Sequence, residues 1–238
     1  MRWANGRCSR AWSPTWGCGT GRSRRCRRRP RSGPRSAADA TVAGRGRRLP
    51  RSFYSRDARV VAPELLNKVL VKGGLRARLV EVEAYVGGGL DPGSHAHRGR
   101  TNRNRSMFGP PGHLYVYFTY GMHWCMNAVC SPAGTATAVL LRAAIPLDGL
   151  EEMRAARPTA RRGADLLSGP AKLCQAFGIS GVDDGLDLVG RAATVTIVDD
   201  GTPPPSEPAT SVRIGLSAGA ELPWRWFVPG DPHVSRLR

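Results

Sequence analysis

Along the first fifty residues, apolar and polar positions follow neither strict alternation nor a 3.6-residue spacing. From about Ser52 the pattern becomes ordered. Ala62-Pro63-Glu64-Leu65-Leu66-Asn67-Lys68-Val69-Leu70 predicts a short helix with Pro in its first turn, closed by Gly73-Gly74. Leu75 to Tyr85 reads as a strand. Leu114 to Tyr120 and His123 to Cys130 are two β-rich runs separated by Gly121-Met122, which predicts a hairpin. A turn at Ser131-Pro132-Ala133-Gly134 leads to a strand over Ala138 to Arg142. Asp148-Gly149-Leu150-Glu151 has the form of a capping box opening a helix that ends near Pro158, and Ser168-Gly169-Pro170 opens another that stops at Gly178. Further strands are predicted at Ala193 to Val198, Ser211 to Ile214 and Trp224 to Val228, with a proline-rich loop over Thr202 to Pro208. Neighbouring strands joined by short turns favour antiparallel pairing, so the expected class is α+β, in one domain over residues 51–238.

Charge changes the picture at one end. The 238 residues carry a net charge of +18, of which residues 1–50 supply +13 from 14 Arg against the single acid Asp39. The run Arg24-Arg25-Cys26-Arg27-Arg28-Arg29 cannot bury enough surface to offset its ordering entropy, so residues 1–50 are expected to be a disordered basic tail. Such a segment reads as a nucleic-acid-binding arm, as a transit peptide, or as the product of an upstream start site that does nothing. The strong positive balance points first to a polyanionic partner. No run of eighteen apolar residues is present, so no membrane span is expected.

Several motifs are weak. Gly215-Leu216-Ser217-Ala218-Gly219 matches a nucleophile elbow, but only 19 residues follow it, too few to scaffold an acid and a histidine. His95, His97, His123, Cys125 and Cys130 could be imagined around zinc, yet no CxxC pair occurs and these cysteines lie in apolar strand sequence. There is no P-loop and no GxGxxG. No metal and no cofactor is expected.

The stretch from Glu81 to Arg142 is richer. Period two places Glu81, Glu83 and Tyr85 on one strand face, with Arg76 and Arg78 on the other if the strand is regular. A Gly87-Gly88-Gly89 loop leads to Ser94-His95-Ala96-His97 and then to Thr101-Asn102-Arg103-Asn104-Arg105. The hairpin strand and its tip supply Tyr115, Tyr117 and Tyr120, three of the five tyrosines. Carboxylate, histidine, stacked tyrosines and clustered arginines are what an enzyme handling an extruded nucleobase needs. Each also has an ordinary reading, as cross-strand packing or a solvated charge.

The ordered segments Val82-Glu83-Ala84-Tyr85, Ser94-His95, Arg103-Asn104-Arg105-Ser106-Met107-Phe108, Gly112-His113-Leu114-Tyr115-Val116-Tyr117, Tyr120-Gly121-Met122, Cys125-Met126-Asn127 and Val139-Leu140-Leu141-Arg142-Ala143 closely resemble the 3-methyladenine (alkyladenine) DNA glycosylase family of the human-enzyme type. Ser168-Gly169-Pro170-Ala171-Lys172 and Phe227-Val228-Pro229-Gly230-Asp231 extend the resemblance, which covers roughly residues 60–235. It implies a compact α+β fold with a curved antiparallel sheet, flanking helices and a protruding hairpin. It also implies a monofunctional hydrolase that removes alkylated or deaminated purines from duplex DNA by base flipping and leaves an abasic site for repair. By matched position Glu83 would activate water and Arg142 would help hold it. Tyr85, His95 and Tyr117 would cage the base, with His97 as the alternative to His95 because the Gly-rich loop leaves its placement open. Asn127 would line the pocket, and Tyr120 would be the intercalating wedge. Arg103, Arg105 and Lys172 are candidates for the DNA backbone. Asn102 departs from the family pattern, where Pro is common. A monomer is expected, in the cytoplasm and on the nucleoid of a bacterium, the favoured source, or in the nucleus of a eukaryote. The rival classes are a catalytically silent damage-binding protein, which Glu83 and Arg142 argue against, and a basic RNA-associated protein, suggested only by the tail.

Overall fold

Asp57 caps the helix Ala58–Leu65: its Oδ1 accepts from the Arg59 backbone N–H at 2.8 Å and so satisfies one donor of the first turn. The structure, a computed structural model, describes residues 46–235. The disordered basic tail expected over residues 1–50 lies, for residues 1–45, outside the described residues. Its last stretch is corrected, because Arg47 and Arg48 form a short strand, β1, paired antiparallel with Asp199 and Val198, and Leu49 is buried in the core.

After β1 come α1 (Arg51–Tyr54), α2 (Ala58–Leu65), β2 (Val69–Lys72), β3 (Leu75–Val86), β4 (Leu114–Thr119), β5 (His123–Cys130) and β6 (Thr137–Asp148). Then follow α3 (Leu150–Ala156), α4 (Pro170–Ala176), β7 (Val195–Asp199), β8 (Ala209–Ser211) and β9 (Arg225–Phe227). The helix expected over Ala62 to Leu70 is corrected on two counts. It starts earlier, at the Asp57 cap, so Pro63 sits inside it, and it ends at Leu65, with the predicted last residues Val69 and Leu70 belonging to β2. Gly73-Gly74 is then a hairpin turn, with Lys72 opposite Leu75 and Gly73 at φ +57°. The capping box at Asp148 is also corrected. Asp148 ends β6 in an ion pair with Arg76, and α3 opens from Gly149 at φ +77° without a side-chain cap.

The strands form one curled antiparallel sheet in the order β1-β7-β2-β3-β6-β5-β4. The edge of β3 is shared: β2 pairs with its first four residues, and β9, itself paired with β8, joins Glu81 to Glu83 further along. The main core lies on the sheet face covered by α2 and α4, and includes Leu65, Leu79, Val82, Met126, Leu141 and Leu173. A smaller cluster of Ala96, Met107, Tyr115, Val129, Ala136 and Ala138 supports the loops that follow β3.

The β3–β6 ladder is irregular between Arg76 and Ala77 and again around Glu81, and the second irregularity bears on the site. Leu79 faces Ala144, Glu81 faces Ala143 and Val82 faces Leu141, so Val80 is an extra residue on β3 and Arg142 an extra residue on β6. Leu79 and Val82 both enter the main core although they are three positions apart, an odd step. The bulge therefore inverts the parity of the strand. Ala77 and Leu79 point to the core, which sends Arg76 and Arg78 to the same side as Glu81 and Glu83, not the opposite one. Nor are they solvated charges: Arg76 pairs with Asp148 and Arg78 with Asp200, at 2.9 and 2.7 Å.

Candidate active site

A cavity of about 300 Å³ opens between the β4–β5 hairpin, the loop after β3 and the segment before β9. Among its wall residues are Tyr85, His95, Tyr117, Asn127 and Arg142, with Tyr120 at the mouth. The alternation in β4 turns Tyr115 and Tyr117 to one side, where His95 meets Tyr117 edge-to-face at 4.5 Å between ring centres. His95 Nδ1 shares a hydrogen bond with the Tyr115 hydroxyl at 2.9 Å. His97, the alternative, is not part of the wall. Asn127 is buried on β5, its Nδ2 donating to the Tyr115 carbonyl at 3.0 Å.

Glu83 is fully buried and is not itself a wall residue, but it bonds three residues that are, Tyr85, Arg142 and Ile214. Its Oε2 accepts from the Tyr85 hydroxyl at 2.8 Å and from Arg142 Nη1 at 3.2 Å, and its Oε1 accepts from the Ile214 backbone N–H at 2.8 Å. Burial, and then the Glu83 charge, hold the Tyr85 hydroxyl well above the ordinary tyrosine range, so it stays a donor. Burial works against the Arg142 charge, but the carboxylates of Glu83 and Glu81 outweigh it and raise its hold on the proton. The His95 imidazole is shifted the other way, down, by burial and then by Arg103, which favours its neutral form.

The loop that the sequence leaves open is tied down by a residue pair that the sequence reading missed. Asp91 and Arg213 are both fully buried and meet through two bonds of 2.6 Å. Asp91 also accepts from the backbone N–H groups of Val86 and Gly93. The Arg213 guanidinium lies against the ring of Tyr85 at 4.6 Å and against that of Trp224 at 5.2 Å. Arg213 thus supports Tyr85 and carries Ile214 to Glu83. Asp91 and Arg213 are 122 residues apart, and no local pattern joins them.

The hairpin tip is built differently. Thr119 accepts from Met122 N across Tyr120 and Gly121, which both have positive φ, +50° and +67°. For tyrosine that conformation is uncommon and strained. Tyr120 is 77% exposed and Met122 65%. Arg103 donates to the Phe118 carbonyl at 3.1 Å and lies 5.8 Å from the Tyr117 ring centre, while Arg105 is exposed at the start of a 3₁₀ turn, Arg105–Phe108. Lys172, in the first turn of α4, bonds the Ser168 hydroxyl at 3.1 Å.

The weak motifs find no support. Ser217 is exposed on a loop. Among the described residues no three His, Cys, Asp or Glu side chains are grouped to hold a metal, and Cys125, Cys130 and Cys174 are buried free thiols. No helix among the described residues is long and apolar enough to cross a membrane.

Comparison with known proteins identifies the family. Residues 52–232 match the family described as methylpurine-DNA glycosylase (MPG). A Burkholderia lata protein named as a 3-methyladenine DNA glycosylase is 60% identical over 188 residues, covering 79% of this chain and 90% of its own. Proteins given the same name from Streptomyces avermitilis and Chlorobaculum parvum are 47% and 48% identical, covering 80% and 81% of this chain and 92% of each relative. The chain belongs to the methylpurine-DNA glycosylase family, whose members are hydrolases of N-glycosyl bonds.

Proposed function

We propose that this protein, acting as a monomer, removes alkylated or deaminated purines, of the 3-methyladenine, 7-methylguanine and hypoxanthine class, from duplex DNA by base flipping. One observation carries the reading: a cavity walled by Tyr85, His95, Tyr117 and Arg142 has a buried carboxylate, Glu83, bonded to two of those wall residues, Tyr85 and Arg142, and an exposed aromatic, Tyr120, at its rim. The ring of a flipped purine stacks between the tyrosines, and a positive charge from ring alkylation strengthens that contact. Asn127 disfavours a guanine 2-amino group.

Glu83 accepts a proton from water as the water oxygen bonds to the sugar C1′. The glycosidic bond breaks, and its electron pair leaves with the purine. The sugar is oxocarbenium-like at the transition state, and the Glu83 charge stabilises it. Arg142 helps hold the water. The chemistry runs without a nucleophilic lysine, and Lys68, Lys72 and Lys172 are not among the cavity wall residues. Tyr120 enters the minor groove and fills the space the base vacates. Arg103, Arg105 and Lys172 contact phosphates. The curated relatives named above are bacterial, and we place the protein in the bacterial cytoplasm, on DNA.

The test uses methylated duplex DNA and a duplex with one hypoxanthine, treated with alkali after incubation. Strand scission at the lesion, with release of the free base, is the expected result. Tight binding of either duplex without release would overturn the catalytic reading in favour of a silent damage-binding protein. A chain starting at Gly46 should keep lesion-specific excision. Its binding should depend less steeply on salt if Arg24 to Arg29 touch phosphates.

A further inference from the structure

Beneath the cavity lies a second carboxylate for which the chemistry above has no use. Glu81 is fully buried, and all its hydrogen bonds are ones it accepts. Its Oε1 takes Arg142 Nε at 3.0 Å, Arg225 Nε at 2.7 Å and the Ser235 hydroxyl at 2.7 Å, and its Oε2 takes the Ser235 backbone N–H at 2.7 Å. Arg225 is 2% exposed and Arg142 7%, so two cations and two carboxylates share a nearly water-free volume. Glu83 and Arg142 already balance each other in charge. Glu81 and Arg225 form a second balanced pair, and Glu81 also reaches across to Arg142.

We propose that Glu81 is a positioning residue for base excision, holding Arg142 in the one orientation in which it serves Glu83. A guanidinium is planar and rigid, so fixing one edge fixes the direction of the others. Here Nε is held by Glu81, and Nη1 is thereby directed at Glu83 Oε2. Nη2 lies 3.4 Å from the Ser235 hydroxyl, which itself donates to Glu81. Such a tether is needed because Arg142 is the extra residue of the β6 bulge. Bulges re-aim side chains, and the ladder alone does not set the aim of this one. The proposal rests on Glu83 being the base and Arg142 its partner.

A double-mutant cycle tests it, using Glu81→Gln, Arg142→Met and the two combined. The readouts are single-turnover excision of hypoxanthine at saturating enzyme, and the affinity for a duplex carrying a tetrahydrofuran abasic analogue. Glu81→Gln is expected to slow excision about 10- to 100-fold, the scale of a misplaced catalytic group, with affinity within about 2-fold of wild type. The double variant is expected to be no slower than Arg142→Met alone. Multiplying losses in the double variant would overturn the proposal, as would an unchanged rate in Glu81→Gln or a rate loss matched by lost binding. If Glu81→Gln does not fold, the cycle is run on E81Q/R225M, which removes the unbalanced cation. Ser235→Ala leaves every charge in place and is expected to slow excision about 3- to 10-fold, as a smaller loosening of the same arginine. Glu83→Gln separates the two readings. If it excises at a near-normal rate the base assignment fails, whereas multiplicative losses with an inactive Glu83→Gln remove only the positioning role.

Discussion

The cavity base and the hairpin tip, both assigned to one reaction, are built on opposite principles. At the base, Glu81, Glu83, Asp91, Arg213 and Arg225 are almost wholly out of water, and each is held by two or more partners. At the tip, Tyr120 stands exposed on a strained backbone, with Met122 beside it. A group that must hold water and a sugar to within fractions of an ångström gains from being over-determined. A group that must leave solvent and enter a DNA stack gains from having little to give up in the free protein. Substitutions at the base should therefore cost rate or stability heavily. Substitutions at the tip should cost rate in a lesion-dependent way and leave stability nearly intact.

The sharpest test of this contrast is Glu83→Gln. It should keep affinity for damaged duplex and lose about 10² to 10⁴ in single-turnover base release, the usual range for a general base. Near-normal release would remove Glu83 from that role. Next in size is Asp91→Ala, which strands the fully buried Arg213 charge and should lower unfolding free energy by about 3 to 5 kcal/mol in a denaturant titration. A loss under 1 kcal/mol would show that water reaches the pair and that the base is less rigid than described. Tyr120→Ala, at the tip, should change stability by no more than about 1 kcal/mol, as expected of an exposed side chain. It should slow excision most for well-paired lesions, because unstable pairs are extruded at little cost. Equal rate losses on paired and mismatched hypoxanthine, together with a large fall in melting temperature, would make Tyr120 a packing residue.

The smallest effect concerns His95, between the two regions. Its proton affinity in the folded protein is lowered, by burial first and by Arg103 second. Between its ordinary value, about 6.5, and the lowered one, the unfolded chain holds a proton that the folded chain lacks. Stability from this group is thus present above that window and falls as pH drops through it. His95→Gln should flatten the melting temperature between pH 7 and pH 5 relative to wild type. Parallel curves would exclude His95 as a source of that dependence.

How much of this was legible in the chain depends on the range of the forces involved. Strand alternation around Glu83 and Tyr85, the hairpin with its tyrosines, and the helix opening at Pro170 are local patterns, set by covalent geometry and side-chain period within a few residues. They could be read directly, and the ordered motifs carried the family. The start of α2 is also written locally, in Asp57, but Pro63 offers a competing signal for a first turn further on.

What only the tertiary structure decided is everything that needed a partner far along the chain or a break in the period. The bulge of β3 against β6 turns Arg76 and Arg78 to the side of Glu83 and frees Arg142 from the ladder. A strand's parity is known only once its pairing is known, and pairing is a property of two strands, not of one. Glu83 receives Ile214 from 131 residues away and Glu81 receives Ser235 from 154. The sequence determined that a carboxylate would stand beside a tyrosine on a buried strand. Packing, which rewards paired buried charges wherever on the chain their partners lie, decided which cations and amides would hold it.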